Sequence, residues 1–300
     1  MPDEKKSLIL AFLAVLFWST VATAFKIGLR TVSPSLFLFY ASTVSTLILL
    51  ILILLQKRFY VLGKLSKKDI LMSLLIGFLN PFLYYLVLFQ AYSLLPAQEA
   101  LSLNYTWAIV LTILSSVFQK KKIGIVSHFA LFISFFGVLV IISKGSIISL
   151  KPSNSIGAIL AIASSLVWGF SWIFNVLSNV KEEIRLFLNF AFGSIFSFLY
   201  LLLFDNPELP SAHSFIPIVY IGAFEMGITF LIWNKALKSA SNPAKVNNLI
   251  YLSPFLSILF INFILKEPIH ISTFVGLVLI VFGIVIQNIT SFQALQNRNK

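Results

Sequence analysis

A chain of 300 residues that is 59% hydrophobic and 11% charged, with mean hydropathy +0.97, cannot fold as a soluble globular domain. Its formal charge of +12 does not imply a nucleic-acid partner, because the 22 Lys and Arg fall mainly in gaps between apolar runs. The absence of Cys excludes disulfides, thiolate nucleophiles and thiolate metal ligands, and leaves redox compartment open.

Crossing ~30 Å of hydrocarbon takes ~20 apolar residues as a helix. Ten runs meet that length, roughly 8–29, 33–55, 70–91, 96–118, 124–143, 156–178, 184–204, 214–238, 243–265 and 270–290, delimited by charges, Pro and Gly. All ten are predicted helices, since a lone strand would leave its backbone unpaired in lipid. Long continuous runs also differ from the short alternating segments of a transmembrane barrel.

In chain order, Ala22-Thr23-Ala24 in the first span looks like a secretory cleavage signature, but cleavage would discard Trp18, so that span is expected to be retained. Lys26, on its outer half, is expected to snorkel to the interface. Asn80-Pro81 sets a helix breaker within the third span, freeing carbonyls that kink the helix or meet a solute. Glu99, on the turn into the fourth span, reads as a solvated cap. Pro96 and Pro243 start their spans at corresponding turns. Asn104, Tyr105 and Trp107 lie a third of the way into the fourth span, deeper than an interfacial aromatic belt. Glu225 is the one carboxylate deep within a span; an intramembrane charge is expensive and therefore functional by default, either carrying a proton or meeting a solute amine. The bland alternative is a neutral Glu bonded to an Asn. Asn247 and Asn248, at the start of the ninth span, cannot both face one side of a helix.

The chain repeats itself. FWSTVATAFKIGLRTVSPSLFLFY at 17–40 corresponds to VWGFSWIFNVLSNVKEEIRLFLNF at 167–190, pairing Trp18 with Trp168 and Leu36-Phe37-Leu38 with Leu186-Phe187-Leu188. Phe136-Gly137-Val138-Leu139-Val140 likewise echoes Phe282-Gly283-Ile284-Val285-Ile286. Five spans per copy force the second copy upside down, the inverted repeat of transporters with a midplane site. Two repeats, 1–147 and 153–292, then form one membrane domain joined by the polar stretch from Ser143 to Ser155. With the N-terminus inside, only Lys26, Arg30, Lys144, Lys151 and Lys266 of the 22 Lys and Arg lie outside, so both termini are expected in the cytoplasm of a multi-pass protein of the plasma (inner) membrane. The basic loops then meet the inner leaflet of the bilayer.

No Gly-x-Ser-x-Gly elbow, His-Glu-x-x-His, phosphate loop or neighbouring intramembrane carboxylates occur, so no catalytic residues are assigned and an enzyme is not expected. His128, His213 and His270 are too dispersed for a metal site, and no cofactor is implied.

Ten spans in two halves, with Trp18-Ser19 and Trp168-Gly169 at matching places, resemble the drug/metabolite transporter superfamily and its EamA-type repeat over nearly the whole chain. Leu103-Asn104-Tyr105-Thr106-Trp107 is similar to the Asn-Tyr-x-Trp segment of an aromatic amino acid exporter subgroup, with Ala108 where that subgroup often has Pro; Tyr251-Leu252-Ser253-Pro254 in span nine is of the same kind. The resemblance implies a helix basket whose spans one, three, four, six, eight and nine line a cavity, with five and ten peripheral. The residues read in the same direction: Trp18, Asn80, Tyr84, Asn104, Tyr105, Trp107, Trp168, Asn175, Asn247 and Tyr251 are polar or amphipathic groups that would be costly in lipid and at home around a wet cavity. Trp18 and Trp168 line or gate it, or else wedge the halves together. The function expected is a secondary transporter of small organic metabolites, an exporter of amino acids or similar amphipathic solutes acting as a monomer, proton-coupled through Glu225. The alternatives are an uncoupled facilitator in which Glu225 is structural, and a membrane enzyme or assembly factor.

Overall fold

In the computed structural model the described residues are 4–118, 124–143, 152–241, 243, 246 and 248–298. They form helices and turns, with no strand among them. Ten long helical elements follow in order, with a short 3₁₀ turn at Phe59–Lys64 after the second: α1 (Glu4–Gly28), α2 (Pro34–Leu55), α3 (Lys67–Leu94), α4 (Ala97–Phe118), α5 (Ile125–Ser143), α6 (Ser155–Leu177), α7 (Glu182–Phe204), α8 (Ala212–Ser239), α9 (Asn248–Leu265) and α10 (Ile271–Arg298). Eight are long and apolar enough to cross a bilayer. The other two, α5 and α10, contribute shorter apolar stretches, His128–Ser143 and Ile271–Ile286.

Local chemistry sets several boundaries. Ser33 caps α2 ahead of Pro34, its Oγ accepting from Leu36 N at 3.3 Å, and Asn154 caps α6 by accepting from Gly157 N at 2.9 Å. Ser66 and Asp69 close a reciprocal capping box on α3. Each bond satisfies an orphan N–H at a helix start.

The helices pair in a pattern with a symmetry of its own. α1 packs on α8 and α9; α6 packs on α3 and α4; α2 packs on α7, and α5 on α10. Exchanging each helix for the one five places later maps this set onto itself. At α5–α10, a Cβ on Gly137 would meet the Gly276 carbonyl and a Cβ on Gly276 the Gly137 carbonyl, so the bare backbones touch where apolar attraction between helices is weak. Ser134 Oγ adds a bond to the Ile280 carbonyl at 3.3 Å.

Both ends of the bundle are tied. At the end where the chain begins, Ser7 Oγ donates to the Ala236 carbonyl at 2.7 Å, Arg58 pairs with Glu183 at 3.2 Å, and Asn234 bonds Glu182. At the distal end, Ala97 N donates to Glu267 at 2.8 Å, while Ser33 (2.5 Å) and Ser35 donate to the Asp205 carboxylate. Glu99 is buried rather than solvated, because it accepts from Ser153 N and Oγ at 3.2 and 2.5 Å and so anchors the stretch leading into α6.

The serine hydroxyls hold the Asp205 carboxyl below its ordinary range. A depressed carboxyl contributes stability that is present above its unfolded value, about 3.9, and is lost as pH falls through its folded value. Asp205→Asn is therefore expected to melt below the parent protein at neutral pH, with the difference shrinking as acidification carries the pH below the ordinary carboxyl range and through the depressed folded value, read by thermal unfolding in detergent micelles.

Candidate functional site

Four helices depart from regular geometry, and the departures fall at the polar residues. In α3, Asn80 leaves the helical region (φ −147°, ψ 114°), as a residue before proline tends to do, and Pro81 supplies no N–H to bridge the break. In α4, the turn at Tyr105 and Thr106 separates the segment Ala97–Asn104 from Trp107–Phe118. In α8, Glu225 sits in a π-helical stretch, Ile221–Ile228; in α9, Tyr251 lies in a 3₁₀ stretch, Asn248–Leu252. By contrast α1, α2, α6 and α7 run unbroken. π-turns and broken helices loosen the backbone at the depth where transporters build sites. The breaks fall on α3 and α8, and on α4 and α9, which are counterparts five places apart.

Side chains connect these breaks across helices. Tyr85 Oη donates to Glu225 Oε1 at 3.0 Å, joining α3 to α8. Tyr84 Oη donates to Asn104 Oδ1 at 3.4 Å, and Asn104 Nδ2 donates to Ser164 Oγ at 2.9 Å, joining α3, α4 and α6. Beside them, the Thr106 and Ser165 hydroxyls meet at 2.9 Å. Trp107 packs on Trp168 with centroids 4.7 Å apart, and Trp168 stacks on Trp172 at 5.4 Å. Tyr105 lies 6.3 Å from Trp107 and hydrogen-bonds Ser253 of α9. On α1, Phe17 stacks on Phe224 at 4.4 Å, and Thr20 and Tyr220 hydroxyls meet at 2.5 Å. Asn80, Asn104, Tyr105, Trp107, Trp168, Glu225 and Tyr251 are half-buried, whereas Tyr84 and Tyr85 are buried.

Of the residues singled out in the sequence, Tyr84, Asn104, Tyr105, Trp107 and Trp168 thus meet in one layer, with Glu225 joined to it through Tyr85, whose ring sits edge-on to Tyr84 at 4.7 Å. Tyr251 packs beside the same cluster as Tyr105, and Asn80 stands at the α3 break. Two others turn elsewhere. Asn175 donates to the Ser171 carbonyl (2.9 Å) and accepts from Asn189 of α7 (3.3 Å). Trp18 packs on Phe230 and Trp233 of α8, so it does not occupy the counterpart of Trp168's position against α4. Asn247 lies outside the described residues. Tyr85, Ser164, Ser165 and Tyr220 were missed by sequence reasoning, because hydroxyls in an apolar run gain meaning only through a partner on another helix.

Lys26 does not reach out to an interface. Its Nζ donates to the carbonyls of Tyr92 and Leu95 at 2.7 and 2.5 Å, where α3 ends and has no further N–H to offer. Phe25, next to Lys26 in α1, packs 6.2 Å from Tyr85, 4.8 Å from Phe89 and 5.3 Å from Tyr92. Lys26→Met is expected to lower stability by about 1–3 kcal/mol by stranding those carbonyls, measured as a thermal shift in micelles. Separately, a cavity of about 400 Å³ opens at the distal end between the α1–α2 and α7–α8 turns, beside Ser33, Asp205 and Ser211. It is distinct from the intramembrane layer. No group of three His, Asp or Glu suited to a metal occurs among the described residues.

A bundle of apolar helices, broken in matched places around a buried polar and aromatic layer, is the build of a membrane transporter. The chain belongs to the EamA-like transporter family, whose profile matches residues 5–143 and 155–289. Among its relatives, the uncharacterized transporter YoaV of Bacillus subtilis (strain 168) is 24% identical over 287 residues, covering 92% of this chain and 94% of that one. An uncharacterized transporter of Archaeoglobus fulgidus is 24% identical over 286 residues, covering 94% and 96%. The uncharacterized transporter YvbV of B. subtilis is 25% identical over 298 residues, covering 97% and 94%. A solved crystal structure of a protein 18% identical shares the fold, with a TM-score of 0.67 over 97% of this chain and 99% of the other.

Proposed function

We propose that this chain is a secondary transporter exporting small amphipathic solutes, amino acids with apolar side chains first among them. It acts as a monomer in the plasma membrane, with both termini in the cytoplasm. Two inverted five-helix halves rock about the polar layer, opening it first to one side and then to the other. The exchange symmetry of the helix pairs supports that architecture.

The observation that carries the reading is the Tyr85–Glu225 bond set beside the Tyr84–Asn104–Ser164 chain, at the level where α3, α4 and α8 lose regular geometry. A lone carboxyl and several hydroxyls are expensive in hydrocarbon and gain partners only from one another, water or a solute. Trp107, Trp168 and Tyr105 supply flat apolar surface with polar edges, which suits an aromatic or aliphatic side chain. A proton on Glu225 gives the cycle a coupling ion.

The test is uptake of labelled aromatic and aliphatic amino acids into liposomes holding the purified protein, with and without an imposed pH gradient. Gradient-stimulated flux supports the reading. Flux of the same size without the gradient would replace it with an uncoupled facilitator, and flux of none of these solutes would remove amino acids as substrates.

A further inference from the structure

We infer that the site reads an ammonium group. Glu225 receives a protonated amine beside Tyr85, and among the described residues no cationic side chain pairs with Glu225 or stands ready there for a solute carboxylate. The inference deepens the transporter reading above and rests on it.

Glu225 is half-buried in the π-helical stretch of α8, and Tyr85 is the hydrogen-bond donor it meets. Tyr85 donates at 3.0 Å, and the neighbouring Tyr84 ring sits edge-on to Tyr85 with centroids 4.7 Å apart. On the same stretch of α8, Phe224 stacks on Phe17 of α1 at 4.4 Å and lies 5.0 Å from Tyr220. Ring faces carry negative quadrupole and hydroxyl oxygens accept hydrogen bonds, so both add to the carboxylate in favouring a cation. Among the described residues Glu225 has no ion-pair partner. Lys26 is tied instead to the carbonyls of Tyr92 and Leu95 that end α3.

An ammonium therefore brings the counter-charge that the protein does not supply. It donates to the carboxylate and to hydroxyl oxygens, while its apolar chain lies toward Trp107 and Trp168. A carboxylate in the same place would face Glu225 with no cationic donor to compensate. On this arrangement the amine is necessary for binding and the carboxylate of an amino acid is dispensable.

Phenethylamine, phenylalanine and 3-phenylpropionate share a ring and differ in their charged groups. Competition against labelled phenethylamine on the purified protein in micelles, run with transport of phenylalanine in liposomes, separates the possibilities. The expected result is binding of phenethylamine, competition by phenylalanine, and at least about tenfold weaker competition by 3-phenylpropionate. Glu225→Gln is expected to weaken phenethylamine binding by at least about tenfold. Glu225→Asp, which keeps the charge, should restore part of it, and unchanged melting of both variants excludes misfolding as the cause. Equal competition by 3-phenylpropionate, or full binding by Glu225→Gln, would overturn the inference. Phenylalanine transport without phenethylamine binding would overturn it and leave the transporter reading standing, whereas neither binding nor transport would remove both.

Discussion

Glu225→Gln is expected to lower gradient-driven solute flux by about 100-fold, equivalent to about 2.7 kcal/mol. The change keeps the shape of the side chain and an oxygen able to accept from Tyr85, which donates at 3.0 Å in the parent, so the contact between α3 and α8 is retained. What disappears is the ability to hold and release a proton. Proton-dependent flux should vanish while the folded protein, read by its melting curve, is unaffected. Downhill exchange that persists in the variant would then have lost its dependence on pH.

The second large effect is structural. A Cβ on Gly193 of α7 would run into the ring of Pro81, at the place where α3 breaks. That ring belongs to a rigid residue beside an extended Asn80, so it cannot swing aside like the end of a flexible side chain. Gly193→Leu is expected to destabilise the bundle by about 3 kcal/mol, the upper part of the range for overpacking, and to cut the yield of monodisperse protein. Gly63→Ala, where the added methyl meets nothing within 4 Å, serves as the control and should melt like the parent. Partial survival of Gly193→Leu with lost transport would still tie the α3 break to function.

Much of the bundle was legible in the sequence because hydropathy length is local, and Asn80-Pro81 announces the break in α3. The caps at Ser33, Ser66 with Asp69, and Asn154 refine helix starts that the sequence reading bounded only by charges, Pro and Gly. The site was legible in part. Asn104, Tyr105, Trp107 and Glu225 stood out as polar or amphipathic groups in apolar runs, and they fall at irregular turns. The π-helical stretch around Glu225 left only weak marks, Gly222 and Gly227. Lys26 and Glu99 depart from their sequence readings for one reason: each is settled by a partner distant in sequence, the end of α3 and Ser153 respectively. Polarity at one position does not reveal which neighbour satisfies it.

The claim that the polar layer is a path for solute, rather than a set of bonds holding helices together, can be read directly because the chain has no Cys. A single Cys placed at half-buried Asn104 is the unique target for a membrane-impermeant methanethiosulfonate reagent, with a Cys at fully buried Ala130 as reference. In proteoliposomes the account predicts that Asn104→Cys reacts in the folded protein, that transported solute slows the reaction, and that Ala130→Cys stays unreactive until unfolding. An Asn104→Cys as inert as Ala130→Cys in the folded state, but reactive once denatured, would contradict it.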